Sequence, residues 1–255
     1  MSQTKSILLS IASVLIMIAL YAGTQGGWFG ENPVGRTGNY NEPLIVPQPY
    51  AFSIWGLIYL FLIILPIFHW FKRGESNLEW NSFRAWFSIN VILNGVWLVA
   101  ASYDWLWISV AIIVVMLISL YMMRVKLSKL KLAGEPVHYW MEEFVVHIYF
   151  AWITLATVLN ISAAFTFYGW NGFGQTEVFW SLAILLITAI IATAVFYRFK
   201  DRAFAGVVVW AFIAIIVKHI TANPSIAYLS IVVAGVFSIF MVFPKKRLPS
   251  LSTKS

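Results

Sequence analysis

The sequence predicts an all-α integral membrane protein with about eight transmembrane helices, and three observations carry that reading. The 255 residues are 61% hydrophobic and only 11% charged, and a mean hydropathy of +0.82 lies far above the range of a soluble domain. Eight apolar runs approach or exceed the length of about 20 residues that a bilayer crossing needs. Lys and Arg alternate between connections as the positive-inside rule requires, with fifteen of the seventeen on one side.

The runs are 6–23, 50–71, 84–103, 105–124, 142–168, 178–197, 203–220 and 225–243. Lys5, the loops 72–84, 124–141 and 198–202, and a tail at 245–255 carry the basic residues, leaving only Arg36 and Lys218 opposite. Both termini are therefore expected on the cytoplasmic side of the membrane. Lys5 before an apolar run that ends in Tyr21-Ala22-Gly23 also fits a signal peptide, but the run is longer than most signal cores. Segment 24–48 is the long polar outer connection, rich in Gly, Asn and Pro, and reads as a lid or as a spacer.

Run two opens after Pro47 and Pro49 with Tyr50, Phe52, Trp55 and Tyr59. Pro66 is placed to kink this run, while Gly56 and, in run three, Gly95 would permit close helix contacts. Run three carries Asn94 and Trp97, and run five carries Tyr149, Trp152, Ala156 and Asn160 on one narrow face. Leu117 to Arg124 in run four fits a proposed cholesterol pattern that is too common to carry weight. Residues 1–168 read as one bundle, 169–244 as three plainer added helices, and 245–255 as a basic tail.

Intramembrane polar groups are costly and are therefore the first functional candidates. A rise of 1.5 Å per residue puts Trp55 roughly 9 Å and Tyr59 roughly 15 Å below the outer end of their helix, Trp97 roughly 9 Å, Asn94 roughly 13 Å and Asn160 roughly 12 Å. These depths predict an aromatic, carboxamide-bearing pocket in the outer half of the bilayer under segment 24–48, with Trp152 as its floor. The bland alternative makes the two Asn residues interhelical glue and the rings packing or belt residues.

At these residues the chain resembles the TspO family, the tryptophan-rich sensory proteins related to the mitochondrial translocator protein. The family pattern Y-x-x-W-x-x-x-A-x-x-L-N is met by Tyr149, Trp152, Ala156, Leu159 and Asn160, N-x-x-W by Asn94 and Trp97, and W-x-x-x-Y by Trp55 and Tyr59. Tyr50 stands where the family has Trp, Phe52 is one residue closer to Trp55 than in the family, and Ile148 replaces a proline. The last three helices have no counterpart in five-helix members, so the likeness is to a longer bacterial branch. The resemblance implies a five-helix bundle that binds a hydrophobic planar molecule, porphyrin- or sterol-like, with the loop after helix one as a cover. Transport, sensing and breakdown of tetrapyrroles all fall within what it implies. It also implies that two copies pair as a homodimer, as family members often do. Tyr50, Phe52, Trp55, Tyr59, Asn94, Trp97, Trp152, Ala156 and Asn160 are the expected ligand contacts.

Porphyrin or haem is expected as ligand, with no required cofactor and no metal site. The absence of Cys excludes thiolate chemistry. The net charge of +7 is read as topology, with the lipid bilayer rather than nucleic acid as partner. Glu142, Glu143 and His147 are the best acid–base candidates, yet they stand at the inner end of run five and read as an interfacial turn with an i, i+4 pair between Glu143 and His147. His69, His138, His147 and His219 all lie near helix ends or in a loop, which argues against a bis-His haem protein. Lys218 and His219 are expected to snorkel. The competing reading is a secondary transporter or permease-type subunit for a small solute, disfavoured by the lack of an acid or base near mid-span.

Overall fold

Polar caps set where several helices begin in the computed structural model, which describes residues 2–31, 42–72 and 77–242. Ser2 caps α1 (Gln3–Gln25), Asn77 caps α3 (Leu78–Ser102) and Thr176 caps α6 (Glu177–Phe199), each accepting a hydrogen bond from a first-turn N–H. Between them, α2 spans Ile54–Phe71, α4 Leu106–Leu132 and α5 Phe144–Phe167. Asp201 caps α7 (Arg202–His219) with bonds from Ala203 N at 2.9 Å and Phe204 N at 3.3 Å, and Pro224 opens α8 (Pro224–Val242). Pro49 starts a short 3-10 turn, Pro49–Ser53, that leads into α2. A π-helical turn, Tyr139–Glu143, leads into α5. Every expected span is present, and the described residues hold eight helices long and apolar enough to cross a membrane. The protein is an integral membrane protein.

Helices α1, α3, α4 and α5 pack in sequence, α2 rests on α1 and α5, and α7 joins α5 to α8. Small and hydroxylic residues let α1 and α3 approach. A Cβ on Gly95 would stand 2.7 Å from the Leu20 side chain and 3.2 Å from Met17 Cα. Ser6 Oγ donates to Asn81 Oδ1 at 2.9 Å, and the Ser10 and Ser88 hydroxyls lie 3.3 Å apart. Gly56, by contrast, has open space where a Cβ would point, so it makes no such contact. On the α3–α4 seam, Asn90 Nδ2 donates to Ser119 Oγ at 2.7 Å and to the Met116 carbonyl at 3.1 Å. Pro66 is accommodated within a continuous α2.

The three C-terminal helices share one core with the first five. Trp210 Nε1 donates to the Ala51 carbonyl at 3.0 Å, and the Gln48 N–H reaches the Ala214 carbonyl at 3.3 Å. The stretch that introduces α2 is thus held by α7.

Candidate ligand site

Helices α2, α3 and α5 bring four aromatic side chains around Trp55. Its ring centroid lies 5.2 Å from Tyr59, 6.2 Å from Trp97, 5.8 Å from Tyr149 and 6.4 Å from Trp152, and Phe52 stands edge-on to Trp152 at 5.7 Å. W-x-x-x-Y places Trp55 and Tyr59 one turn apart on α2, and Y-x-x-W does the same for Tyr149 and Trp152 on α5. Edge-to-face and offset contacts of this kind add to the burial of the rings.

The two carboxamides organise the polar atoms of the cluster. Asn94, fully buried, accepts at Oδ1 from the Tyr59 hydroxyl at 3.2 Å and donates from Nδ2 to the Tyr149 hydroxyl at 2.8 Å. Asn160 accepts from Trp97 Nε1 at 3.2 Å and donates to the Ala156 carbonyl at 2.8 Å, so its amide bridges α3 and α5. Trp152 is the exception. Its side chain is only 3% exposed, and Nε1 has no hydrogen-bond partner among the described residues.

Not all expected contacts gather in one place. Tyr50 lies apart, with its ring against Trp210 of α7 at 5.3 Å. The room beside Ala156 is a cavity of about 50 Å³ bounded by Trp152 and Leu159, by Phe212 of α7, and by Ile45 and Pro47. That is space for one or two waters, far below the several hundred Å³ of a typical ligand pocket. The rings fill the space between them, so a planar ligand must part them. Tyr149, the deepest member of its helical face, proves central through Asn94 and Trp55.

Of segment 24–48, positions 32–41 lie outside the described residues. Its first part docks on the bundle: Gly30 has φ +61, and a Cβ there would stand 2.0 Å from the Ser102 carbonyl oxygen. Its last part packs on α7, where His219 Nε2 meets the Leu44 carbonyl at 2.7 Å and Lys218 Nζ lies 3.6 Å from Glu42. Lys218 and His219 therefore hold this connection instead of merely snorkelling.

At the end bearing the basic loops, the structure buries charges that the sequence assigns to an interfacial turn or to loops. Glu142 is fully buried: Lys72 Nζ reaches both its oxygens at 2.9 Å, His69 Nε2 lies 3.1 Å from Oε1, and the His138 N–H donates to Oε2. Arg84 Nε continues the chain to His69 Nδ1 at 3.4 Å, and Arg84 Nη1 donates to Ser6 and Asn81 at 3.3 Å each. The expected Glu143–His147 pair is not formed. Glu143 binds Lys131 at 2.9 Å, while His147 Nδ1 lies 2.9 Å from Asp201 Oδ2. Arg124 Nη1 reaches the same Asp201 oxygen at 2.6 Å, and its guanidinium lies 4.2 Å from the Phe199 ring. Burial alone would raise the Asp201 carboxyl, but His147 and Arg124 hold it well below the usual aspartate range. Arg84 and Arg124 escaped the sequence reading because each sits near a helix end in the chain and was counted as a loop charge. Partners remote in sequence, His69 and Asp201, show their true setting.

The comparisons agree with this architecture. Searches of the curated proteins and of the solved structures return no match. A family model described as TSPO-like protein matches residues 7–243, from the first turns of α1 to just past the end of α8. With the aromatic and carboxamide pattern built on α2, α3 and α5, and with all eight helices inside the matched region, the chain belongs to the TSPO-like protein family.

Proposed function

We propose that the protein is a membrane receptor or carrier for a hydrophobic planar ligand, porphyrin- or sterol-like, held among Trp55, Tyr59, Asn94, Trp97, Trp152 and Asn160 in the outer half of the bilayer beneath segment 24–48. The observation that carries this reading is the buried, unpartnered Trp152 Nε1 at the edge of a cluster of stacked rings. A buried donor without an acceptor costs about 1–3 kcal/mol, and a carbonyl or carboxylate on a flat ligand would satisfy it while its ring system replaced ring–ring contacts. Phe52 and Ala156 contribute apolar wall, while Tyr50 packs on α7 outside the site.

Quenching of tryptophan fluorescence in the purified full chain by a panel of porphyrins, haem and sterols tests this. Asn94→Ala, Asn160→Ala and Trp152→Phe should each weaken binding of the preferred compound by about tenfold, the effect of losing one well-made buried hydrogen bond. Unchanged affinity in all three variants would sink the assignment.

A second reading, coupled transport of a small solute, is favoured by the Lys72–Glu142–His69–Arg84 chain, buried in all but Lys72, because intramembrane charges commonly serve coupling ions. Proteoliposome flux separates the two readings. Uptake driven by an imposed pH gradient and abolished by Glu142→Gln would favour the transporter, whereas binding without such flux would favour the receptor.

A further inference from the structure

At the end of the bundle opposite the basic loops, the turn between α5 and α6 and residues 42–44 line a cleft of about 360 Å³. Its size falls within the range of small-molecule sites. Phe165, Trp170 and Trp180 supply aromatic walls, and Glu42 and Glu177 supply carboxylates, with no Lys or Arg among the described residues that line it. This acidic lining occurs in a chain of net charge +7.

An interfacial belt does not account for these rings. The Trp180 indole turns inward, its Nε1 donating to the Gly172 carbonyl at 2.8 Å, and its ring stands 4.7 Å from Trp170, which in turn meets Phe165 at 5.1 Å. The turn is wound to bring them together: Gly169, Gly172, Phe173 and Gly174 all have positive φ, and a Cβ on Gly172 would collide with the Trp180 ring at 2.8 Å. Glu42 lies near Lys218, at 3.6 Å, while Glu177 forms no ion pair with a described residue. The N-terminus of α6 favours an acid at Glu177 in any case, but it explains neither the rings nor the cleft.

Aromatic faces beside a carboxylate attract a weakly hydrated cation, most strongly one that can shed its water. We infer that this cleft is a second ligand site, separate from the Trp55 cluster, and that it takes an organic cation of the alkylammonium class. Glu177 supplies the counter-charge and Trp170 and Trp180 the π faces. The cation is a free solute or the head group of a choline lipid, since both present the same trimethylammonium.

The full-length protein in neutral maltoside micelles would be titrated with choline and with its uncharged isostere 3,3-dimethylbutan-1-ol, with binding followed by saturation-transfer NMR. Choline should bind about tenfold more tightly than the alcohol, Glu177→Gln should remove most of that difference, and Trp152→Phe should leave it intact. Glu177 is exposed in the first turn of α6, so the Gln variant keeps the fold. Equal binding of choline and the alcohol, or no effect of Glu177→Gln, would overturn the inference. Nanodiscs containing phosphatidylcholine then distinguish the sources. Free choline excluded from the wild-type site assigns it to the lipid head group, and free choline still bound assigns it to the solute. The Trp152→Phe arm keeps the test independent of the proposed planar-ligand site.

Discussion

The two ends of the bundle solve the problem of buried polarity differently. Around Trp55 the polar atoms are neutral, carried by two carboxamides, two phenols and indoles, and one indole N–H is left over. At the basic end the groups are charged and the acids are fully engaged: Glu142 by Lys72, His69 and a backbone N–H, and Asp201 by Arg124, His147 and the first turn of α7. Neutral groups can exchange partners at modest cost, whereas an ion stripped of its partner inside a membrane protein is severely penalised. The difference teaches that the aromatic end can rearrange at modest cost, while the charged end holds helices in place.

The largest effect should come from Asp201→Ala. Removing the carboxylate that binds Arg124, His147 and the first turn of α7 should cost about 3–5 kcal/mol, seen as a large loss of thermal stability in detergent. If the variant melts like wild type, the charged end is not the lock. The pH dependence sharpens the same point. A carboxyl held below its ordinary value stabilises fully above the unfolded aspartate pKa of about 3.9 and loses that contribution as pH falls toward its folded value. Asp201 should therefore add its full contribution to the melting temperature, with no pH dependence of its own, between about pH 8 and pH 5, and an acid limb below about pH 4 should be smaller in Asp201→Asn.

Glu142→Gln comes next. It keeps the shape but weakens three charge-assisted contacts, for a loss of about 1.5–3 kcal/mol. Differential scanning fluorimetry would measure it, and a neutral result would blur the contrast between the ends.

Trp152→Phe should have the smallest effect on stability, within about 0.5 kcal/mol or slightly stabilising, because it deletes a donor that has no acceptor and keeps most of the ring. A large destabilisation would show that the indole is structural and would weaken its reading as a ligand contact.

The sequence carried the helices and the aromatic cluster well, because hydropathy reports a bilayer crossing residue by residue and because Trp55, Asn94, Trp97, Trp152 and Asn160 recur at turn spacings that survive folding. Depth along a helix was enough to bring together residues from three separate spans. It could not say which side chains face one another, so Tyr50 was grouped with Trp55 although it packs on Trp210. Nor could it tell a buried arginine from a loop arginine six residues into a helix. Arg84 is 5% exposed only because His69, Ser6 and Asn81 arrive from elsewhere in the chain or from the preceding turn. The role of α7 was invisible for the same reason, since the bonds from Trp210 and His219 to Ala51 and Leu44 span more than 150 residues.

Those two bonds make α7 a clasp. The chain on either side of Ile45 is tethered through its own backbone carbonyls, so no side-chain substitution in that stretch unfastens it directly. Any swing that widens the space above Trp152 must either break these tethers and the Gln48–Ala214 bond or carry α7 along with it. In a protein built this way, any opening of the aromatic cluster is geared to the tilt of a helix that contributes none of the rings around Trp55. The added helices thereby gain leverage over the cluster without supplying its rings.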